Sequence, residues 1–380
     1  MKLIHLSDLH IGKRIREYSL LEDQEYILTK ILNIIDGEKP DAVIIAGDVY
    51  DKSVPSAEAV RLFDDFLSAL AKRRLQVFVI SGNHDSAERV ACFGRIVSGA
   101  GVHLSPVYNG EITPVELEDE YGSVSIYMLP FIKPQTVKHY FADAEINDYT
   151  DAVRTAVAHM NVDYTQRNVL ITHQFIADSE TCESEELSIG GTDSVNVSAV
   201  KDFDYVALGH LHRPQKCTYD KVRYCGTPLK YSFSEAKDSK SVTVVELCEK
   251  GNTTIRTVPL EAKRDMVDIR GSFDELMQKS FYEGKTWQED YVRITLTDED
   301  IVPDAYGYLR NIYHKLMLIQ YDNTRTRSSR RIEGPENVRQ KSELELFTEL
   351  FEKQNNMPMT ETQLEYMLGV IEDIKKEEQL

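Results

Sequence analysis

The chain lacks basic character: 44 lysines and arginines stand against 63 aspartates and glutamates, a net charge of −19 over 380 residues. A protein this acidic does not hold nucleic acid by bulk electrostatics, so any phosphate contact must be local or shared with a partner. Cysteine is scarce. Cys92, Cys182, Cys217, Cys225 and Cys248 form no C-x-x-C pair and no zinc-finger spacing, and their odd number points to reduced thiols in a cytosolic protein. No apolar run approaches the ~18 residues needed to cross a bilayer. The opening Met1–Asp8 turns polar too early for a secretory signal. Internal repeats and low-complexity tracts are also missing. The expectation is a soluble cytoplasmic protein with no membrane partner, and 42% hydrophobic content suffices for two or three domains.

Residues 3–7, 42–46 and 76–80 are short apolar runs, each ending against a polar motif. Between them, 22–36 and 56–73 carry apolar residues at helical spacing, so strand and helix alternate. Further strands are expected at 123–129, 168–172, 204–208 and 241–247. The strands after 214 have little helix between them, which indicates an antiparallel part or a second sheet. The predicted class for 1–260 is α/β, a two-sheet β-sandwich flanked by helices. Residues 264–322 read as strand, helix, strand, helix, strand, a small α/β or α+β domain without a ligand cluster. Asn323–Arg331 is basic and rich in Ser and Thr; it reads as a linker (323–340), or its four arginines touch phosphates. The last forty residues (341–380) form a pair of short amphipathic helices, opened by the capping-box patterns Ser342-x-x-Glu345 and Thr360-x-x-Gln363. Helices this short either fold back on the chain or await another one, and the linker before them favours a partner.

Five segments carry chemistry: Asp8-Leu9-His10, Gly47-Asp48, Gly82-Asn83-His84-Asp85, His173 after Val169–Ile171, and Gly209-His210-Leu211-His212. Asp8 and His10 are two apart past a strand end, so both can reach one ion. Asp48 offers two oxygens, which suits a bridge between cations ~3.5–4 Å apart. Asn83 adds a neutral oxygen, and His173, His210 and His212 complete the imidazole set. A mixed nitrogen and oxygen shell suits manganese, iron or zinc better than calcium. His84 reads as catalytic rather than as a ligand, with Asp85 placed to hold its tautomer or raise its basicity. Asp51 could assist an ion, orient a ligand or cap the helix near Pro55. His5, His103, His139, His159 and His314 read as structural.

These segments resemble those of the calcineurin-like metallophosphoesterases over 1–260, and more closely the SbcD-like branch of DNA repair nuclease subunits. That branch is matched by His5–Gly12, Thr172–Phe175, the Ser- and Glu-rich 179–186 followed by Ile189–Gly191, Asp204–Gln215 and Tyr224–Glu235. The resemblance implies a metallophosphoesterase fold holding two divalent ions, manganese in this family. One would sit on Asp8, His10, Asp48 and His212, the other on Asp48, Asn83, His173 and His210, with His84 as the catalytic imidazole. It further implies 3′-to-5′ exonuclease and single-strand or hairpin endonuclease activity on DNA. Residues 264–322 would be a capping domain, the chain a homodimer, and the C-terminal helices the docking segment for an SbcC-type coiled-coil ATPase. Archaeal and eukaryotic relatives carry histidine where Asp51 stands, so no role transfers to it. The acidic charge also admits a small-molecule phosphodiesterase or phosphatase of the same superfamily.

Overall fold

The computed structural model describes residues 1–177, 179–185, 193–324, 326, 342–355 and 357–377. Most of the expected linker at 323–340 and part of the acidic 178–186 segment lie outside them. The chain divides into two compact units, Met1–Asp265 and Met266–Leu380.

In the first unit, two six-stranded sheets face each other. One runs in the spatial order Thr253–Pro259, Ser241–Leu247, Lys2–Leu6, Ala42–Ala46, Gln76–Ile80, Val102–Leu104. The other runs Gln215–Lys216, Val222–Tyr224, Tyr205–Leu208, Arg167–Thr172, Gly122–Leu129, Val115–Asp119. The central strands of both are parallel. Their crossovers bring helices to the outer faces, so strands such as Ala42–Ala46 are buried on both sides and read as unbroken apolar runs.

Alternation along each strand sorts the core into three layers. Leu3, Ile44, Phe78 and Ile80 meet Ile126, Val169, Ile171 and Ala207 between the sheets. Ile4, Leu6, Val43 and Val77 pack outward on helices Leu21–Glu38 and Ala57–Lys72 through Ile31, Ile35, Phe63 and Leu70. Leu129, Leu170 and Val206 pack on Pro134–Tyr140 and Tyr149–Ala158 through Val137 and Val153. The late strands do not all form one antiparallel region. Ser241–Leu247 returns to the first sheet and pairs antiparallel with Lys2–Leu6.

The second unit holds a parallel three-stranded sheet, Met266–Gly271, Tyr291–Leu296 and Lys315–Tyr321. The helix expected over 272–281 is two short ones, Phe273–Met277 and Lys279–Tyr282, parted by Gln278 in an extended conformation. Helices Glu343–Asn355 and Glu361–Glu377 follow. Both capping boxes form: Ser342 Oγ accepts from Glu345 N, and Thr360 Oγ1 from Gln363 N.

Candidate metal centre

The polar motifs meet at the C-terminal ends of the parallel strands, where loops leave both sheets together. Backbone bonds zip the first two loops: Asp8 N–H donates to Gly47 O at 3.0 Å and His10 N–H to Asp48 O at 2.9 Å. The turns are tight enough to force Asp8 (φ 52°), His10 (φ 43°), Asp48 (φ 47°) and His210 (φ 104°) into the left-handed region. Such strain in four non-glycine residues persists only where the surroundings over-determine it.

Two glycines make the close approach possible. A Cβ on Gly82 would lie 2.1 Å from Asp48 Oδ1, and one on Gly209 would lie 1.9 Å from Ala46 O. Asp48 is thereby held against the 82–85 turn, where its Oδ1 accepts the His84 N–H at 2.9 Å. Its Oδ2 points inward, 3.2 Å from His173 Nε2, 3.7 Å from His10 Nε2 and 4.0 Å from His84 Nε2.

Donors gather on both sides of that oxygen. On one side, Asp8, His10 and His212 bring ligand atoms within 4.8 Å of one another. His10 Nε2 and His212 Nε2 are 3.2 Å apart, a separation that two neutral ring nitrogens hold only with a proton or cation between them. On the other side, Asn83 Oδ1 lies 3.0 Å from His173 Nε2 and 2.9 Å from His210 Nδ1. His173 Nδ1 faces the Ala46 carbonyl at 2.8 Å; a carbonyl only accepts, so the ring proton sits there and Nε2 keeps its lone pair. Asp8 Oδ2, His10 Nδ1 and His210 Nε2 are buried with no hydrogen-bond partner among the described residues. The two ring nitrogens lie across their rings from the ones that face the cluster, but Asp8 belongs to the donor groups, and a buried carboxylate oxygen without a partner there fits a divalent cation.

Electrostatics contest the lone pair on His173: against burial, Asp48 and Asp8 favour a second proton on the ring, at Nε2, which a bound cation would displace. Burial raises the Asp8 carboxyl to about 7, Asp48's charge adding to the rise and His173 opposing it. Burial also opposes ionisation of Asp48, but His173, His10 and His84 hold its carboxyl well below the ordinary range. Burial works against a charged His173 too, yet Asp48 and Asp8 lift it to about 9. His210 is pushed down to about 3, chiefly by burial.

A calcineurin-like phosphoesterase family model matches residues 1–214. A second, described as a type 5 capsule protein repressor C-terminal domain (SbcD_C), matches 262–355. The SbcD subunit of the nuclease SbcCD from Staphylococcus epidermidis is 32% identical over 84% of this chain and 85% of its own. Its namesake from Staphylococcus saprophyticus is 32% identical over 82% of each. The chain belongs to the SbcD branch of the calcineurin-like phosphoesterases. Among solved structures, a dimetal phosphatase from Danio rerio aligns at a TM-score of 0.41 and 10% identity, over 67% of this chain and 95% of that one, too slight a likeness to build on.

The SbcD-branch site brings together Asp8, His10, Asp48, Asn83, His84, His173, His210 and His212. Asp85 takes a different part from the one expected of it. Its carboxylate accepts backbone N–H bonds from Val49 (3.1 Å), Tyr50 (3.0 Å) and Gly82 (3.0 Å), so it ties the Asp48 loop to the 82–85 turn instead of holding the His84 ring. The ring is held by the Asp51 carbonyl, 3.2 Å from His84 Nδ1. Asp51's side chain pairs with Lys13 at 2.7 Å and caps nothing; Ser56 caps the helix. His5, His103, His139, His159 and His314 all lie elsewhere, His5 with its Nδ1 2.8 Å from Tyr205 Oη.

Two positioning residues are not evident from the sequence. Gln24 Nε2 donates to His10 O at 2.8 Å and to Leu9 O at 3.3 Å, while its Oε1 accepts from Gly12 N. Tyr231 Oη donates to Leu9 O at 2.6 Å. Both clamp the strained 8–10 turn. Gln24 left a signal, a polar residue on the buried stripe of its helix with Leu28, Ile31 and Ile35; Tyr231 left none.

Proposed function

We propose that this chain is the nuclease component of an SbcCD-type complex, hydrolysing DNA phosphodiesters at a two-metal site in break processing and repair. The observation that carries the reading is Asp48 Oδ2, set between two clusters of metal donors with the His84 ring 4.0 Å away. Asp8, His10, Asp48 and His212 would hold one ion, and Asp48, Asn83, His173 and His210 the other; the oxygen and imidazole donors suit manganese. Divalent ions bound there would acidify water and neutralise charge on a phosphodiester.

The chain's own residues do the rest. Asp48, whose carboxyl is held well below the ordinary range, supplies the firm negative charge that draws cations to the site. The proton of His84 Nδ1 is committed to the Asp51 carbonyl, which leaves Nε2 facing the site. From there a protonated ring donates to a phosphoryl oxygen or to the leaving alkoxide.

Residues 1–260 would be the nuclease domain and 264–322 a capping domain that touches DNA. Helices within 341–380 would bind the coiled-coil ATPase, a reading supported by Leu350, Tyr366 and Leu368, which are exposed on them. A homodimer is supported by Phe93 and Ile96, 69% and 76% exposed on adjoining short segments. Among the described residues no helix is long and apolar enough to cross a membrane. All five cysteines are free, in keeping with a cytoplasmic setting. The expected products are those of 3′-to-5′ exonuclease and single-strand or hairpin endonuclease action.

The test is cleavage of labelled single-stranded DNA by the full chain with manganese or chelator, wild type beside His84→Ala. Manganese-dependent shortening should fall at least ~10²-fold in the variant. Intact DNA alongside turnover of a chromogenic phosphodiester would replace this reading with that of a small-molecule phosphodiesterase.

A further inference from the structure

Behind His212 lies a buried polar assembly that the reaction above does not use. Glu235 is fully buried and paired with Lys240, itself 6% exposed, at 2.6 Å. Lys240 Nζ also donates to the His212 carbonyl at 2.8 Å. The acidic 179–185 segment comes in from the other side. Glu185 Oε1 accepts the His212 N–H at 2.6 Å, and Ser184 Oγ lies 2.6 Å from both His212 Nδ1 and Glu235 Oε1.

Proton counting settles the direction of these bonds. Glu235 beside Lys240 is a carboxylate and only accepts. Ser184 has one hydroxyl proton and gives it to Glu235. His212 Nδ1 must therefore carry the ring proton and donate to Ser184, which leaves the lone pair on Nε2, the atom that faces His10. No comparable relay reaches His210, whose Nε2 has no hydrogen-bond partner among the described residues.

We propose that Ser184 and Glu235 are positioning residues for one of the two metal positions: through Ser184, the acidic segment locks the His212 ring with Nε2 presented to the ion it shares with His10. The inference rests on the metal-centre reading above. It gives the 179–185 segment a role at the ion site. Losing an outer-shell partner of this kind typically weakens metal binding ~10–100-fold.

The experiment titrates manganese alone into the chelator-stripped full chain by calorimetry, with bound metal counted after gel filtration. Wild type, Ser184→Ala, Ser184→Thr and Glu235→Gln are compared, with urea unfolding of each in chelator. Expected are two sites in wild type. In Ser184→Ala one of them should be weakened ~10–100-fold and the other unchanged. The unfolding midpoint should stay the same, and threonine should restore affinity. Glu235→Gln should weaken the same site, but it leaves Lys240 without its charge partner, so Ser184→Ala decides if that protein does not fold. Two unchanged sites in Ser184→Ala, or two that weaken together, would overturn the relay and leave the metal centre standing. A wild type that binds no manganese would remove both.

Discussion

Gln24→Leu isolates the clamp on the strained 8–10 turn without changing charge or bulk. Gln24 is 2% exposed and makes hydrogen bonds on both sides of its amide. Leucine removes the acceptor of the Gly12 N–H, a buried orphan costing ~1–3 kcal/mol, and two donated bonds to Leu9 O and His10 O worth ~0.5–1.5 kcal/mol each. Those two carbonyls keep other donors, Tyr231 Oη and Lys13 N, so the Gly12 N–H is the main loss. Leucine returns roughly 1 kcal/mol through apolar burial. The net expectation is about 1–5 kcal/mol lower stability in urea unfolding of the chelated protein, toward the lower end because both carbonyls keep a donor. Asp8 and His10 should also lose their fixed φ, and each left-handed residue stores of order 1–3 kcal/mol that relaxation would release. Manganese affinity should therefore fall alongside stability, at the position shared by Asp8 and His10 before the other. A stability loss under ~1 kcal/mol, or a full loss with unchanged metal affinity, would show that Gln24 merely fills space.

Gly82→Ala should displace the Asp48 carboxylate, since the added Cβ would sit 2.1 Å from Oδ1, and metal counting should find both ions lost. Two ions bound with wild-type affinity would refute the bridge. Away from the site, burial and then the nearby Arg223 lower the His5 ring from 6.5 to about 3. The unfolded chain takes up that proton first, so its contribution to stability is present above pH 6.5 and lost as pH falls toward 3, at roughly 1.4 kcal/mol per pH unit. Between pH 5.5 and 4.5, wild type should lose about that much more than His5→Gln in paired denaturation curves; parallel curves would show that His5 titrates normally.

Much of the site was legible because metal donors are local: each sits just past a strand whose apolar run is visible, and the pairs two apart can be read without knowing the fold. The strands themselves were visible because helices cover both sheets and leave no polar alternation to obscure the runs. Asp85 shows where adjacency misleads. It follows His84 in sequence, yet the 82–85 turn swings its carboxylate back to N–H groups of residues 49 and 50. The return of a late strand to the first sheet was equally hidden, since Ser241–Leu247 gives no sign that its partner is Lys2–Leu6.

By itself the sequence determined which oxygen- and nitrogen-bearing residues stand at the strand ends. That follows from residue type and short-range periodicity. Only the tertiary structure decided which side chains hold those donors still. Gln24, Ser184, Tyr231 and Glu235 act on atoms 14, 28, 222 and 51 residues away, on His10, His212, Leu9 and Ser184 respectively. A hydrogen bond is specified by distance and angle in space, and neither is set by position along the chain until the two sheets have closed on each other.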